Sequence, residues 1–458
     1  MPERVDAIVI GTGQAAPALC ARLDAAGLKT VVIERKLVGG TCVNNGCIPT
    51  KTLIASAHAA HLARRGREYG FSAGEVRVDM RAVKARKDAV VKQSADGVTN
   101  WIGRMQNVTL ERGHARFTGP RTVAVNGHAF EAERVFINVG GRAVVPDLPG
   151  VKEVPFLTNT TMMEVDSLPE HLVVVGGSYI GLEFAQMYRR FGSQVTVVER
   201  APRLIAREDD DVADEIRAIL EREGIAIRTG AECIALSRKG DRIVVGLECE
   251  DGAPVAEGSH VLLAVGRLPN TQDLGLEKAG IETDARGYIK VDDECRTSVA
   301  GVWALGDANG RGAFTHTSYN DYEIVAANLF DRDRRRISDR IQAYALFTDP
   351  PLGRAGMSEK EARASGKRVL SGKLPMTRVG RAREAGETQG FMKVLVDADS
   401  KELAGAALLG LNADEIVHSL LDVMYAKAPY TTVLRAMHIH PTVTELIPTV
   451  LGHLKPLV

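Results

Sequence analysis

The sequence predicts an α/β protein that contains one strand–turn–helix–strand unit twice and ends in an α+β domain. The two copies of the unit lie at residues 5–35 and 171–200. A chain of 458 residues is too long for a single hydrophobic core, so several domains are expected. Residues 343–458 have a different pattern, in which strand-like segments precede an apolar helical stretch. These observations together predict two similar α/β domains and a separate C-terminal domain.

Both copies of the unit begin with a buried apolar strand, which leads into a glycine turn, an amphipathic helix and a second apolar strand. The first glycine and an acid that ends the second strand have the same spacing in both copies, as Gly11 and Glu34 and as Gly176 and Glu199. Glycine permits the tight turn and lets the backbone approach a pyrophosphate at the positive end of the helix. The acid can accept hydrogen bonds from a ribose. The pattern therefore predicts two Rossmann-like dinucleotide-binding units.

Each copy departs from the ideal glycine pattern at one position. The first has Ala16 at the third glycine position, a replacement that this turn tolerates. Pro17 follows, and proline is acceptable in the first turn of a helix. The second copy has Ser178 where the second glycine is expected, so close approach of a nucleotide there depends on Gly177. We expect both turns to bind a dinucleotide, with a somewhat different geometry at the second.

Composition and charge exclude several classes of function. Lysine plus arginine equals aspartate plus glutamate at 58 each, so no net charge attracts the protein to nucleic acid or to a membrane surface. No segment has the length of a membrane span, and the N-terminus lacks the long apolar core of a signal peptide. The basic run at residues 332–336 is short and has no interleaved aromatic residues, which is typical of a solvated connector. A cytoplasmic location is the resulting expectation.

The most distinctive feature is a close pair of cysteines. Cys42 and Cys47 are separated by four residues and precede a predicted helix over residues 50–60. The positive end of a helix favours a thiolate and lowers the pKa of a thiol. One extended turn between the two residues could bring both sulfurs within disulfide distance. In a reducing compartment, such a pair is more often metal-binding or catalytic than structural.

A zinc site is the main alternative for this pair, but zinc sites usually need a second pair of ligands. The other cysteines are isolated in the sequence: Cys20, Cys233, Cys249 and Cys295. His58 and His61 lie one turn apart on the following helix and could ligate a metal. Ordinary surface histidines are the better interpretation, so no metal site is predicted.

The string GGTCVNNGCIPTK at residues 39–51 closely resembles the active-site segment of the pyridine nucleotide-disulfide oxidoreductases. This family includes glutathione reductase, dihydrolipoamide dehydrogenase and mercuric reductase. The resemblance extends over essentially the whole chain, because residues 297–310 are similar to the family's second FAD segment and residues 438–448 to its acid–base histidine segment. One departure is Asn45, where the family usually carries a small apolar residue. We expect Asn45 to leave the disulfide intact and to alter the polarity beside it.

The resemblance implies a fold of two Rossmann-like domains, one for FAD and one for NAD(P), with a C-terminal α+β dimerisation domain. The expected segments are a first FAD-binding part at 1–145, an NAD(P)-binding domain at 146–270, a second FAD-binding part at 271–342 and an interface domain at 343–458. A homodimer whose active sites are shared between subunits follows from the same resemblance.

For the catalytic centre, the resemblance implies a redox-active disulfide between Cys42 and Cys47. Cys47 would be nearer the flavin, and Cys42 would be the thiol that attacks an acceptor. His440 would act as the acid–base residue across the dimer, with Glu445 as the carboxylate that orients it. His438 is expected to be supporting structure.

Other implied roles concern cofactor binding. Lys51 would pair with Glu183, Tyr179 would gate the access of the nicotinamide, and a helix that begins near residues 315–317 would direct positive partial charge at the flavin. The implied FAD-binding residues are Gly11, Gly13, Ala16, Glu34, Gly40, Thr41, Lys51, Gly306 and Asp307. The implied NAD(P)-binding residues are Gly176, Gly177, Tyr179, Ile180, Gly181, Glu199 and Gly266.

The preferred nucleotide depends on the end of the second unit. Glu199 would bond a ribose hydroxyl and repel a 2′-phosphate, which favours NAD(H). Arg200, Arg203 and Arg207 follow closely and could instead accommodate that phosphate. NAD(H) is therefore expected, with NADP(H) as the alternative.

The functional hypothesis is an FAD-dependent oxidoreductase that passes electrons from NAD(P)H through the flavin and the Cys42–Cys47 disulfide to a disulfide or related thiol-linked acceptor. The C-terminal LGHLKPLV lacks the cysteine pair with which mercuric reductases hand over the metal. The first alternative is an NAD(P)H-dependent reductase of metal ions or quinones. The second, from another class, is a non-catalytic redox sensor whose disulfide state controls a partner.

Overall fold

The structure is a computed structural model, and it describes residues 1–248 and 254–457. Cys249 lies outside the described residues, as does the side chain of Cys233. Among the described helices, none is long and apolar enough to cross a membrane.

The first sheet contains the first glycine turn. Its centre is the strand Glu3–Ile10, which pairs in parallel with Thr30–Glu34 on one side and with His128–Ile137 on the other. The remaining strands of this seven-stranded sheet are Val108–Arg112, Arg116–Gly119, Thr122–Val125 and Val302–Ala304. The last of these follows the second sheet in the chain, so the polypeptide leaves the first sheet and returns to it.

The second sheet repeats this arrangement. Its central strand His171–Val175 pairs in parallel with Gln194–Val198 and His260–Leu263, and Ala226–Arg228 extends it. Two small antiparallel sheets accompany it, formed by Glu232–Lys239, Arg242–Glu248 and Val255–Gly258 and by Gly141–Ala143 and Arg267–Pro269. The predicted duplication of the unit is confirmed by these strands.

The C-terminal residues form an antiparallel sheet of six strands, in agreement with the predicted α+β pattern. The strands are Ala343–Leu346, Leu352–Gly356, Val369–Pro375, Phe391–Asp397, Leu403–Leu409 and Lys455–Pro456. The helix Ala413–Tyr425 packs on this sheet through Val417, Leu420 and Met424.

The longer helices lie against the sheets or between them. They are Ala15–Ala25, Cys47–Arg64, Met80–Gly103, Tyr179–Phe191, Asp210–Arg222, Thr315–Ala326 and Ala413–Tyr425. Short helices occur at Gly40–Asn45, Leu276–Ala279, Glu359–Ala364, Gly380–Glu384, Thr431–Leu434 and Ile447–Leu451. The helix predicted over residues 50–60 begins three residues earlier, at Cys47.

One hydrophobic core joins three parts of the chain around the candidate site. Leu53 of the helix Cys47–Arg64, Phe184 of the helix Tyr179–Phe191 and Leu352 of the C-terminal sheet all belong to it. Phe184 is completely buried, and truncation of such a side chain to alanine usually costs about 3–5 kcal/mol. This packing fixes the cysteine segment relative to the second glycine turn.

Candidate active site

The two cysteines are not joined by an extended turn. Each lies on its own helix, a short one followed directly by a long one. Cys42 belongs to the helix Gly40–Asn45, and Cys47 is the first residue of the helix Cys47–Arg64. A Cβ atom at Gly46 would lie 2.8 Å from the carbonyl oxygen of Thr41 and 3.2 Å from Cα of Cys42. The chain folds back on itself at this glycine because no side chain is present. Both thiols are free in the structure.

The surroundings of the pair make its two thiols unequal. Hydrogen bonding from the Cys42 thiol is the main cause that lowers the pKa of Cys47, to about 6, and the same interaction raises the pKa of Cys42. The hydroxyl of Thr315 lies 3.1 Å from the Cys47 sulfur and also lowers the pKa of Cys47. These directions favour the thiolate at Cys47 and the protonated form at Cys42.

Thr315 was not predicted as a site residue from the sequence. It is the first residue of the helix Thr315–Ala326, whose beginning was predicted correctly. The signal was the helix start itself, since hydroxyl side chains at such positions can bond to neighbouring groups.

Lys51 and Glu183 form an ion pair with the ammonium nitrogen 2.7 Å from the carboxylate. The second oxygen of Glu183 accepts a hydrogen bond from the backbone N–H of Phe347 at 3.0 Å. The Lys51 ammonium also lies 4.2 Å from the centre of the Phe347 ring. The structure thus brings together two predicted partners that are far apart in the sequence.

His440 and Glu445 are also in contact, as the sequence predicts. Nδ1 of His440 lies 2.8 Å from one carboxylate oxygen of Glu445 and 3.1 Å from the other. The His440 side chain is 80% exposed, and its neighbours Met437 and Ile439 are exposed apolar residues. Within the described part of one chain, no hydrogen bond joins His440 to either cysteine. Nδ1 of His438 lies 3.1 Å from the nearby carbonyl oxygen of Ala436.

The first glycine turn is closed by the acid at the end of the second strand. One carboxylate oxygen of Glu34 accepts hydrogen bonds from the N–H and the hydroxyl of Thr12, at 3.0 and 2.6 Å. The other oxygen accepts a hydrogen bond from the N–H of Lys36 at 2.7 Å. Gly11 has a positive φ of 95°, and a Cβ atom there would lie 2.4 Å from the carbonyl of Asn138. Glycine is therefore required at this position. Ala16 is completely buried on the helix that follows.

The residues around this turn fit a dinucleotide. The side-chain amide nitrogen of Asn138 is buried and has no hydrogen-bond partner in the described chain, although it faces Gly13. Gly40 approaches Gly13 so closely that a Cβ atom on Gly40 would lie 2.9 Å from its Cα. An unpaired donor beside such a narrow backbone cradle suits the phosphate and sugar oxygens of FAD. Asn138 is a further residue that sequence reasoning missed.

Residues 297–310, which resemble the family's second FAD segment, lie next to this cradle, since a Cβ atom on Gly306 would be 3.4 Å from the side-chain oxygen of Asn138. The N–H of Gly306 donates to Asp321 at 2.8 Å, and Gly306 has a positive φ of 67°. Asp307 is partly exposed, and its carboxylate lies 3.5 Å from the side chain of Arg267. Thr41 stands on the short helix that carries Cys42. These positions leave Asp307 able to accept hydrogen bonds from a ligand.

The second glycine turn has nearly the same hydrogen bonds as the first. The carboxylate of Glu199 accepts from the N–H of Gly177 at 2.6 Å and from the N–H of Ala201 at 2.7 Å. Gly176 has a positive φ of 116°, and a Cβ atom on Gly181 would lie only 2.0 Å from the carbonyl oxygen of Gly176. Glycine at both positions allows the helix to pack closely on the strand.

Three further predicted residues lie beside this second turn. Tyr179 and Ile180 begin the helix Tyr179–Phe191 and are partly buried. Gly266 has a positive φ of 131° just beyond the strand His260–Leu263. All the residues predicted for the second nucleotide thus surround one end of the second sheet.

The described residues contain no group of side chains that could hold a metal ion. His58, which sequence analysis considered as a ligand, instead has Nδ1 2.8 Å from Asp349. This hydrogen bond is the main cause that raises the pKa of His58, whereas burial lowers the pKa of His61.

Two family descriptions match the chain and together span most of it. Residues 5–321 match the pyridine nucleotide-disulphide oxidoreductase family, and residues 342–451 match the dimerisation domain of the same enzymes. The boundary between the two matches falls just before the C-terminal antiparallel sheet.

Several named proteins are similar over nearly the full length of this chain. The probable pyridine nucleotide-disulfide oxidoreductase RclA of Escherichia coli is 35% identical over 97% of this chain and 98% of its own. A dihydrolipoyl dehydrogenase of Thermus scotoductus is 34% identical over 96% of this chain and 95% of its own. A mercuric reductase of Bacillus cereus is 31% identical over 94% of this chain and 70% of its own. The solved structure of the HOCl-induced flavoprotein disulfide reductase RclA from Escherichia coli superimposes with a TM-score of 0.89, at 34% identity, over 98% of this chain and 99% of that chain.

Proposed function

The chain belongs to the pyridine nucleotide-disulphide oxidoreductase family, and from this premise we propose that Cys42 and Cys47 carry electrons to a small-molecule disulfide. Membership makes the protein a flavin-dependent oxidoreductase that uses a nicotinamide nucleotide, and the dimerisation domain makes it a homodimer. The observation that carries the proposal is the geometry of the cysteine pair. Cys42 and Cys47 lie on either side of the tight fold at Gly46, and the Thr315 hydroxyl lies 3.1 Å from the Cys47 sulfur. The hydrogen bond between the two thiols lowers the pKa of Cys47 and raises the pKa of Cys42.

When bound, FAD supplies two-electron transfer between the nicotinamide and the cysteine pair. The residues proposed to hold it are Gly11, Gly13, Ala16, Glu34, Gly40, Thr41, Lys51, Gly306 and Asp307, to which Asn138 is added. The unpaired amide of Asn138 supports this assignment. Those proposed for the nicotinamide nucleotide are Gly176, Gly177, Tyr179, Ile180, Gly181, Glu199 and Gly266.

In the reduced protein, Cys42 is the nucleophile and Cys47 the resolving thiolate. The Cys42 sulfur attacks one sulfur of the acceptor disulfide, which forms a mixed disulfide and releases the other half as a thiolate. The Cys47 thiolate then attacks the Cys42 sulfur, which forms the Cys42–Cys47 disulfide and releases the second half. The acceptor gains two electrons, and the cysteine pair is oxidised.

The first of these steps requires a base, because Cys42 holds its proton more tightly than an ordinary thiol. His440 can take that proton and pass it to the departing thiolate, and Glu445 fixes the imidazole orientation through Nδ1. The high exposure of His440 in one chain supports a role at the partner subunit's cysteines. We therefore propose that the acid–base residue crosses the dimer interface.

We further propose that NAD(H) is the preferred nucleotide. The carboxylate of Glu199 lies at the second glycine turn, where its charge opposes a 2′-phosphate. Arg203, one candidate for binding that phosphate, is paired with Asp214 and lies 3.7 Å from Asp210. These carboxylates compete for its guanidinium, which supports NAD(H) over NADP(H).

The domain bounds of 1–145, 146–270, 271–342 and 343–458 stay predictions, and the distribution of the strands over three main sheets supports them. The cytoplasmic location and the absence of nucleic-acid or membrane partners also stay predictions.

A metal ion or a quinone is the alternative acceptor. RclA of Escherichia coli, a relative, has also been solved as a Cu(II) complex, and mercuric reductases are among the similar proteins. The test is a panel of acceptors that includes lipoamide, glutathione disulfide, Cu²⁺, Hg²⁺ and a quinone, with NADH as the donor. Each is assayed with the wild type, with Cys42→Ser and with Cys20→Ala as a control at a buried cysteine away from the pair.

Reduction of a disulfide that Cys42→Ser abolishes and Cys20→Ala retains would support the proposal. Quinone reduction that survives in Cys42→Ser would identify direct transfer from the flavin instead. A single stoichiometric oxidation of the protein, with no turnover of any acceptor, would favour the redox sensor.

A further inference from the structure

Glu208 is a carboxylate with 1% exposure that lies beside the second glycine turn. Its backbone N–H donates to the carbonyl of Ile205 at 2.8 Å, and the N–H of Ile205 donates to the carbonyl of Gly177 at 2.9 Å. Lys360 donates from its ammonium to the carbonyl of Glu208 at 2.9 Å. The position of Glu208 is thus fixed relative to the glycine turn on one side and to the C-terminal part of the chain on the other.

Two tyrosine hydroxyls donate to one oxygen of this carboxylate. The hydroxyl of Tyr344 lies 2.5 Å from Oε1 of Glu208, and the hydroxyl of Tyr179 lies 3.2 Å from the same atom. Burial, followed by the charge of Glu208, raises the pKa of both hydroxyls. Both tyrosines therefore remain hydrogen-bond donors throughout the neutral range.

The ring of Tyr179 is held by aromatic contacts as well. It stands edge-on to Tyr344, with ring centres 5.5 Å apart, and edge-on to Phe314, with ring centres 6.1 Å apart. Phe314 and Tyr344 stack on each other at 5.4 Å. Phe314 directly precedes Thr315, whose hydroxyl contacts Cys47. Edge-to-face packing of this kind restricts the rotation of the Tyr179 ring.

The C-terminal sheet supplies the other half of this arrangement. Tyr344 and Arg354 are directly opposite each other on the antiparallel strands Ala343–Leu346 and Leu352–Gly356. Arg354 is 2% exposed, and its Nε lies 3.8 Å from Oε2 of Glu208. Oε2 has no hydrogen-bond partner in the described chain, so the two tyrosine hydroxyls provide the side-chain hydrogen bonds of this buried charge.

We infer that Glu208 and Tyr344 form a latch that holds the side chain of Tyr179 in its closed position. This latch thereby sets the affinity for the nicotinamide end of the nucleotide. The inference rests on the proposed function, which assigns Tyr179 to the nicotinamide nucleotide, and on the gating role that the family resemblance implies for Tyr179. Displacement of the Tyr179 side chain breaks its hydrogen bond to Glu208. Any ligand that displaces Tyr179 therefore loses part of its binding free energy. A ligand that occupies only the ADP-ribose end leaves the latch closed. Glu208 is a positioning residue that acts through Tyr179.

The test is calorimetric titration of the oxidised holoenzyme with NAD⁺ or NADP⁺, whichever the wild type binds more tightly, and separately with ADP-ribose. Tyr179→Phe should bind the full nucleotide about 3- to 10-fold more tightly, because a hydrogen bond to a charged acceptor no longer has to break. Glu208→Gln should shift the affinity in the same direction, since an amide oxygen is a weaker acceptor than a carboxylate. The affinity for ADP-ribose should stay within about twofold in both variants.

Tyr69→Phe is the matched control, because it removes a hydroxyl that donates to the carbonyl of Ala385 at 2.6 Å, outside the latch. It should change neither affinity. Unchanged or weaker binding of the full nucleotide by Tyr179→Phe would overturn the latch, as would an equal change for ADP-ribose. If Glu208→Gln does not fold, Tyr179→Phe decides alone, since it removes one hydroxyl only. Failure of the proposed function would appear separately, as acceptor reduction that does not depend on Cys42.

Discussion

The ammonium group of Lys51 lies 2.7 Å from the carboxylate of Glu183, and this ion pair joins the helix that begins at Cys47 to the helix that follows the second glycine turn. Glu183 is nearly buried, with 7% of its side chain exposed, while Lys51 is 33% exposed. After the hydrogen bond from Cys42, which is the largest influence on the pKa of Cys47, Lys51 lowers that pKa and Glu183 raises it. The pair thus adjusts the charge of the redox thiol from two different parts of the chain.

We predict that neutralising Lys51 and neutralising Glu183 shift the pKa of the Cys47 thiol in opposite directions. Lys51→Gln should raise the pKa of Cys47, and Glu183→Gln should lower it, each by about one unit. The measurement is the pH dependence of the ultraviolet thiolate absorbance of the reduced protein. Shifts of the same sign in both variants would show that the ion pair acts through structure rather than charge.

The hydroxyl of Thr315 should help to set the pH below which the Cys47 thiolate becomes protonated. The pKa of Cys47 is lowered to about 6, so the thiolate predominates above that pH and is lost as the pH falls through it. Thr315→Val should move this midpoint upward, because the valine removes a donor to the sulfur at 3.1 Å. Thr315→Ser retains the donor and should leave the midpoint near that of the wild type. A downward or unchanged midpoint in Thr315→Val would contradict this role.

The sequence predicted much of this arrangement because its strongest signals are local. The glycine turns, the terminal acids Glu34 and Glu199 and the start of the helix at Thr315 each depend on a few consecutive residues. The contact between Thr315 and Cys47 depends instead on how distant segments pack, so no spacing in the sequence could reveal it.

The remaining differences have the same physical cause. The link between Cys42 and Cys47 is a short helix rather than an extended turn, because Gly46 lets the chain fold closely back on Thr41. Glu208 lies in a loop with no recognisable motif. Its burial between Tyr179 and the C-terminal sheet appears only in the folded chain.

Loss of His440 should impair acceptor reduction and spare reduction of the protein by NADH. His440→Ala is expected to lower turnover with a disulfide about 100-fold or more, as removal of a general acid–base group usually does. Glu445→Gln should have a smaller effect in the same step, because it weakens the orientation of the imidazole without removing it. His438→Ala is the control and should turn over at close to the wild-type rate. Stopped-flow measurement separates the two half-reactions.

Complementation between two variants tests whether His440 of one subunit acts at the cysteines of the partner subunit. A heterodimer of one His440→Ala subunit and one Cys42→Ser subunit should contain one intact site, although each homodimer should have little or no activity. Activity near half that of the wild type per dimer is expected. Absence of activity in the purified heterodimer would place His440 in the same subunit as the cysteines that it serves.

Removal of the Glu199 carboxylate should reduce the preference for NADH. Glu199→Ala is expected to lower kcat/KM for NADH and to raise the ratio for NADPH over NADH by about tenfold, because the charge that opposes a 2′-phosphate is lost. Comparison with Glu34→Ala, the equivalent acid of the first turn, controls for loss of the hydrogen bonds that close such a turn. Glu34→Ala should weaken FAD retention and leave the nucleotide ratio unchanged. An unaltered ratio in Glu199→Ala would remove this residue from nucleotide selection.

Anaerobic titration of the purified protein with NADH tests most directly whether Cys42 and Cys47 lie in the electron path. The flavin spectrum is followed in the wild type and in Cys42→Ser. We expect the wild type to take up more than one equivalent of NADH per subunit, with a long-wavelength band that appears before the flavin bleaches. Simple bleaching after one equivalent, with no such band and no difference between the two proteins, would contradict it.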